Sequence, residues 1–236
     1  RQGTVFSHGD AVIVTDDRLL TNTQQGKITS LGSLDLSTSI LDNQGGFIQS
    51  AKAMRMTLSQ TLWNQKVAEQ GSFIQSGQTL TLNAPVIDNS NTLTTERGIL
   101  AENLQVTADR LDNNRGGIYS RNNANFLIKN QLQNHKGEVL ALGDLDINGD
   151  QLLIQNPFGK IQTNQQLNIE SRFLSGDGDL SAKHIALTLK EDFTAKTAIN
   201  AGETLSVFTH GKLINDTNLY ADHQVILDAN TIENTR

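Results

Sequence analysis

The sequence predicts an all-β protein, namely a right-handed parallel β-helix of about eleven coils with about 21 residues in each coil. Three observations predict this fold. An apolar anchor residue recurs along the whole chain, a small residue follows each anchor two positions later, and asparagine and glycine recur near the end of most repeats. One repeat of this length cannot bury its own apolar face, whereas stacked repeats can, so we expect a solenoid.

The first element of each repeat is the anchor with its small partner. Successive anchors are separated by 19 to 26 residues. The anchors, which define coils one to eleven, are Val5, Ile28, Ile48, Ile74, Ile99, Ile118, Val139, Ile161, Leu180, Ile199 and Leu219. Their partners are Ser7, Ser30, Ser50, Ser76, Ala101, Ser120, Ala141, Thr163, Ala182, Ala201 and Ala221. A residue that is Ser, Thr or Ala in every repeat indicates a bend where space is tight.

The second and third elements are further apolar positions. Pairs such as Leu34/Leu36 and Leu145/Ile147 alternate with polar residues, which is typical of a strand with one buried face. A third apolar position precedes the next turn, for example Leu111. We therefore expect two or three short strands in each coil.

Asparagine closes most repeats and glycine often follows it. The asparagines are Asn22, Asn43, Asn64, Asn89, Asn113, Asn134, Asn156, Asn215 and Asn234, and Ser175-Gly176 and Thr194 interrupt the series. Both residue types tolerate the left-handed backbone that sharp corners need. Stacked asparagines are expected to form hydrogen bonds along the axis, as they do in cross-β arrays.

Two other folds fit less well. A leucine-rich repeat has a similar period, but it needs a helical segment, and the chain shows no 3.6-residue periodicity. A β-sandwich would not keep the small residue in register through eleven repeats.

Composition narrows the function classes. No Pro-rich or Ser-rich linker divides the 236 residues, so 1–236 is interpreted as one repeat domain. The net charge is -6 without a basic stripe, and no run of 18 apolar residues occurs, so neither a nucleic-acid partner nor a transmembrane segment is expected.

The chain contains no cysteine, which suits a protein that crosses a membrane unfolded. It begins and ends inside a repeat, so we expect an excised internal segment of a longer protein.

Four segments carry a resemblance to a known family. LDNQGGFIQS at 41–50, LDNNRGGIYS at 111–120, FIQSGQTLTLN at 73–83 and KITSLGSLDLS at 27–37 resemble filamentous-haemagglutinin repeats. The resemblance is strong over residues 26–170 and looser beyond them.

This resemblance implies a large exoprotein of Gram-negative bacteria that is exported by two-partner secretion, either an adhesin or the stalk of a contact-dependent growth-inhibition toxin. The implied localisation is secreted, on the bacterial cell surface, with a role in virulence. The implied partners are an outer-membrane two-partner-secretion transporter and the flanking repeats of the parent chain.

Catalytic and metal sites are not expected. Asp144, Asp146 and Asp150 form the densest acidic group, but Asp144 and Asp146 alternate with apolar residues as on a solvent-facing strand. SGDGDLSA at 175–182 is similar to a calcium-binding nonapeptide, but it occurs once, and that motif works in tandem. His184, Glu203 and His223 are interpreted as a surface polar ladder. We therefore expect no enzyme and no cofactor.

Receptor binding is the remaining site hypothesis. The third and fourth coils are long, and their extra residues fall at 64–71 and 89–98, where insertions must bulge outward. A raised patch there would carry Trp63, Lys66, Glu69, Glu96 and Arg97. Two functions therefore stay open: a structural stalk segment that projects a distal receptor-binding or toxin domain, or an adhesive module that binds a cell-surface receptor through this patch.

Overall fold

The structure is a computed structural model that describes residues 3–67, 71–93 and 98–235. These residues form β-strands and no helix. The strands are β1 (Thr4–Ser7), β2 (Ala11–Val14), β3 (Leu19–Thr21), β4 (Lys27–Ser30), β5 (Leu34–Asp42), β6 (Phe47–Ser50), β7 (Met54–Trp63), β8 (Phe73–Ser76), β9 (Thr79–Asn83), β10 (Val86–Asp88), β11 (Ile99–Ala101), β12 (Asn103–Asp112), β13 (Gly117–Ser120), β14 (Ala124–Gln133), β15 (Glu138–Ala141), β16 (Leu145–Asn148), β17 (Leu153–Gln155), β18 (Lys160–Thr163), β19 (Gln166–Ser171), β20 (Phe173–Ser175), β21 (Asp179–Leu189), β22 (Phe193–Ala195), β23 (Ile199–Asn215), β24 (Leu219–Ala221) and β25 (Gln224–Asn234).

The strands stack as coils of a parallel β-solenoid of about eleven turns, which confirms the predicted fold class. Each strand pairs in parallel with its equivalent in the next coil. Ile48, for example, lies between Ile28 and Ile74 in the register of β4, β6 and β8. Ser50 likewise lies between Ser30 and Ser76. The repeat read from the sequence is therefore the physical register of the stack.

The lumen is filled by the predicted apolar positions. The anchors from Ile28 to Ile199 are buried, as are alternating pairs such as Leu34 and Leu36. Val5 is exposed because the first coil has one neighbouring coil instead of two, and Ile232 in the last coil is exposed for the same reason. Stacking, and not any single coil, thus removes the apolar side chains from water.

The small residues lie at a tight bend, as the sequence predicts. The Ser30 hydroxyl donates to the carbonyl of Ser33 across the bend and contacts the carbonyl of Gly9 in the preceding coil. Ser120 does the same with Asn123 and Glu102. A larger side chain would displace these close backbone contacts.

The asparagines form a buried ladder along the axis. Each Nδ2 donates to the Oδ1 of the next asparagine over 2.7 to 2.8 Å, from Asn22 to Asn156. Each of these donors also contacts a backbone carbonyl one coil further on, such as that of Glu138 for Asn113. The predicted axial hydrogen bonding is confirmed. It is interrupted where Gly176 and Ala195 occupy the column, so the interrupting residue in the ninth coil is Ala195 and not Thr194, and it resumes between Asn215 and Asn234 at 2.9 Å.

The described residues include no helix long and apolar enough to cross a membrane.

Candidate functional site

The turn after each ladder asparagine forms one continuous edge of the solenoid. We call it the Asn corner and define it as residues 22–26, 43–46, 64–67, 89–92, 113–116, 134–137 and 156–159. In four of these turns the glycine N–H donates to the carbonyl of the ladder asparagine, over 2.9 to 3.4 Å. The residue before the glycine has positive φ, as type II turns require. The ladder thus fixes the corner, and three successive corners present Arg115, Lys136 and Phe158 outward.

The predicted receptor patch lies partly on this corner. Trp63 ends β7 and is 37% exposed, in register between Asp42 and Asp88. Lys66 is half-buried on the turn that follows the ladder residue Asn64. Trp63 therefore faces outward instead of packing in the lumen. The other three patch residues, Glu69, Glu96 and Arg97, lie outside the described residues, so the patch as a whole stays a prediction.

The acidic group of the seventh coil serves contacts between coils. Asp144 Oδ1 accepts the backbone N–H of Gln166 at 3.2 Å. Asp146 accepts from the side chain of Asn168 at 2.7 Å. Asp150 is fully exposed, and its ion pair with Lys190 lowers its pKa. Asp144 and Asp146 thus contact the eighth coil, and Asp150 contacts the ninth.

The glycine-rich segment at 175–182 is a turn. Asp177 Oδ1 accepts the backbone N–H of Phe158 at 3.0 Å, and the N–H of Asp179 donates to the carbonyl of Gly159 at 2.8 Å. Among the described residues no group of three His, Asp or Glu side chains is arranged to hold a metal ion.

The histidine ladder is a set of polar contacts on the outer face. His184 Nε2 lies 3.4 Å from Glu203 Oε2, and its Nδ1 lies 3.0 Å from the hydroxyl of Thr204. Lys183 donates to Glu203 at 2.9 Å, and this hydrogen bond lowers the pKa of the Glu203 carboxyl. The backbone N–H of His223 donates to the carbonyl of Glu203.

Burial and pairing shift two further carboxyl groups near the Asn corner. Burial raises the pKa of Asp112, although the N–H of Asn114 opposes this. Burial also acts to raise the pKa of Glu138, but hydrogen bonds from Lys160 and Tyr119 outweigh it, and the pKa lies below its ordinary value. Glu138 therefore ties the seventh coil to the eighth.

Two of the grooves on the outside of the described residues lie near features discussed above. The larger, of about 670 Å³, is mainly apolar and is lined by residues that include Leu58, Pro85, Ala108 and Leu127. The smaller, of about 380 Å³, lies beside the Asn corner. Side chains with polar groups contribute to its lining, namely Asn114, Gln133, His135, Gln155 and Ser175.

Sequence reasoning missed one cluster at the Asn corner. Arg115, Lys136 and Phe158 occupy the same turn position in three successive coils, with φ of 52°, 53° and 55°. The Lys136 Nζ lies 5.9 Å from the centre of the Phe158 ring, and the His135 ring packs edge-on against it. The signal was present as NNRG, NHKG and NPFG at 113–116, 134–137 and 156–159, where non-glycine residues precede the turn glycine.

The fold and these surfaces define a repeat protein of the parallel β-solenoid class. A comparison with protein families, with curated proteins and with solved structures finds no match to this chain.

Proposed function

We propose that this chain is a stalk segment of a large secreted bacterial surface protein and that it projects a distal receptor-binding or toxin domain. The observation that carries the proposal is the continuous stack of parallel coils, with a buried asparagine ladder from Asn22 to Asn156. Such a stack is stiff because each coil forms backbone hydrogen bonds with the coil before it and the coil after it.

The resemblance of 41–50 and 111–120 to filamentous-haemagglutinin repeats supports the type of parent protein. The proposed partners follow from it: an outer-membrane transporter for two-partner secretion and flanking repeats on either side. Export through such a transporter requires an unfolded chain, and a chain without cysteine has no disulfide that would block threading.

A stalk role predicts that length matters and that surface chemistry does not. Each coil adds about 4.8 Å, so eleven coils span about 50 Å. Removing residues 99–160 takes out three whole coils and joins equivalent positions, because Ile99 and Ile161 both occupy the anchor column. The shortened chain should fold and be about 14 Å shorter by small-angle scattering. The matched control removes residues 99–150, which breaks the register and should unfold the neighbouring coils.

The function is tested by placing the chain between a cell-surface anchor and a reporter domain. The reporter's height above the membrane should fall with each whole coil removed, and its activity towards a distant target should fall in parallel. Activity that is unchanged by shortening, but lost with one surface substitution, would contradict a stalk.

The second candidate is an adhesive module that binds a cell-surface receptor through the long coils at 64–71 and 89–98. The exposed Trp63 favours it, because a large aromatic ring held on a rigid strand is a typical binding anchor. The test is binding of the labelled chain to whole bacterial and epithelial cells. Loss of binding when Trp63 and Lys66 are replaced by alanine, but not when Lys183 and Lys190 are, would support adhesion.

A further inference from the structure

Phe158 stands in a backbone conformation that does not suit it. Its φ of 55° lies in the left-handed region, where a bulky side chain is disfavoured. Gly45 and Asn91, which tolerate this region, have positive φ in the corresponding turns of other coils. The Phe158 side chain is 63% exposed, so burial offsets little of this strain. A strained residue that the core does not require points to a role at the surface.

One cation contacts the exposed ring, and a second stands two coils before it on the same edge of the solenoid. Lys136 lies over its face at 5.9 Å, and His135 meets it edge-on with ring centres 5.9 Å apart. Arg115 occupies the same turn position one coil before Lys136. Within the described residues neither Lys136 nor Arg115 forms an ion pair, so both cations are available to a ligand.

The acidic groups close to this cluster are already engaged. Asp112 Oδ1 accepts the backbone N–H of Asn114 at 2.9 Å, and Asp177 Oδ1 accepts that of Phe158 at 3.0 Å. Both carboxylates thereby shape the turns on which the cluster stands. Their charge weakens the field of the cations without neutralising either cation directly.

The groove of about 380 Å³ is linked to the ring through His135, which contacts the ring and forms part of the groove wall. The amides of Asn114, Gln133 and Gln155 and the hydroxyl of Ser175 line it. Such groups donate and accept hydrogen bonds in several directions, which suits a ligand rich in hydroxyl groups. Binding to a membrane surface would need a continuous apolar face, and the amide and hydroxyl groups of this groove interrupt such a face. Nucleic acid would meet only two cations on a chain of net charge -6.

We infer that Arg115, Lys136 and Phe158, with the adjacent groove, form a binding site for a carboxylated saccharide. The sugar's apolar face packs on the Phe158 ring, its carboxylate pairs with Lys136 or Arg115, and its hydroxyl groups bond to the groove amides. The site lies on coils five to seven, beyond the long coils at 64–71 and 89–98. It does not depend on the stalk role, since a stalk functions with or without a surface ligand.

The strain allows a sharp test, because binding and stability should change in opposite directions. Asparagine tolerates positive φ, so Phe158→Asn should leave the melting temperature unchanged or raise it. The same substitution should weaken binding of a uronic-acid hexamer at least tenfold in calorimetric titration. Lys136→Asn should likewise weaken binding without lowering the melting temperature. The control is Leu127→Asn, which removes a comparably exposed apolar side chain from another edge and should leave binding intact.

Three further results decide the proposal. A neutral glucose hexamer should not bind, and 1 M salt should weaken binding of the uronic-acid hexamer, because the contact with Lys136 is ionic. Equal binding by Phe158→Asn and the unchanged chain, or no binding by either, overturns the proposal. A lowered melting temperature in Phe158→Asn also overturns it, since the ring would then be needed for packing. Binding to anionic phospholipid vesicles but not to the hexamer would assign the cluster to a membrane surface instead.

Discussion

Two lengths of the solenoid are held together in different ways. From Asn22 to Asn156 a buried column of seven asparagines links the coils from inside. Beyond it the column holds Gly176 and Ala195, and the Asn156 Nδ2 has no hydrogen-bond partner in the part of the chain that the structure describes. The column resumes only at the end of the stack, with one exposed hydrogen bond from Asn215 to Asn234 at 2.9 Å. These later coils are linked on the outside by ion pairs, among them Arg172–Glu191, Lys183–Glu203 and Lys212–Glu233.

A comparison of the two lengths shows which interactions the stack needs. The lumen continues through both lengths, since Ile161, Leu187 and Leu205 are as buried as Ile48 or Ile118. Apolar stacking is therefore the common requirement. The ladder adds hydrogen bonds that water and salt cannot reach, whereas exposed ion pairs contribute little each and are screened by salt. The first length should accordingly be the more stable of the two.

The largest effect is expected from a substitution in the apolar lumen, which both lengths share. Ile118→Asp places an unpaired charge in the lumen of the laddered length, and several coils should unfold, with a loss of more than about 4 kcal/mol in the free energy of unfolding. Urea denaturation followed by circular dichroism measures it. A transition that barely moves would mean that the anchor column does not form the lumen. Ile199→Asp is the matched change in the second length, where it should leave the laddered coils folded.

A smaller effect separates the interior of the ladder from its end. Asn113 donates two hydrogen bonds and accepts one from Asn89, so Asn113→Ala should cost about 2–4 kcal/mol. Asn156 accepts one bond from Asn134 and has no partner for its own amide, so Asn156→Ala should cost about 1 kcal/mol or less. Thermal unfolding of the two variants provides the comparison. Equal losses of stability in Asn113→Ala and Asn156→Ala would show that the hydrogen bonds of the ladder do not contribute to stability.

The sequence predicts the ladder and the lumen because both depend on a repeated residue at a fixed interval. Ile118 and Asn113 are recognisable from their equivalents twenty-odd residues away. The cluster of Arg115, Lys136 and Phe158 was not predictable in the same way. These three residues share a backbone conformation but differ in side-chain type. A search for a sequence repeat finds positions with similar side chains, so it does not find this cluster. The exposed position of Trp63 agrees with strand alternation, because Trp63 directly follows the buried Leu62 in β7.

Salt should distinguish the two lengths further. Raising the salt concentration from 0.1 M to 1 M screens exposed ion pairs and so weakens the links between the later coils. Backbone amides of β21 and β23 should then exchange with deuterium faster, while those of β12 and β14 should change little. Hydrogen-exchange mass spectrometry at the two salt concentrations measures this. Equal acceleration in both lengths would refute the contrast between inner and outer links.

Acid should act at the junction between the two lengths. Glu138 of the seventh coil pairs with Lys160 of the eighth at 3.0 Å, and its pKa in the folded chain lies below the ordinary value of 4.5. The pair's contribution is therefore fully present above that value and is lost as the pH falls through the lowered pKa. Glu138→Gln should reduce the melting temperature slightly at pH 7 and make no difference near pH 2. An equal deficit at both pH values would show that the carboxylate's charge is not involved.

The smallest effect is expected on the outer face, where the two lengths are alike. Asp144 is exposed, and its Oδ1 accepts the N–H of Gln166. An asparagine side chain keeps an acceptor oxygen at that place, so Asp144→Asn should change the free energy of unfolding by less than about 0.5 kcal/mol. Asp228→Asn, at an exposed position of the last coil, is the matched substitution and should be equally mild. Urea denaturation of both variants measures the change. A large loss of stability from Asp144→Asn alone would mean that the charge of Asp144, and not its hydrogen bond, holds the seventh and eighth coils together. The outer face would then differ between the two lengths.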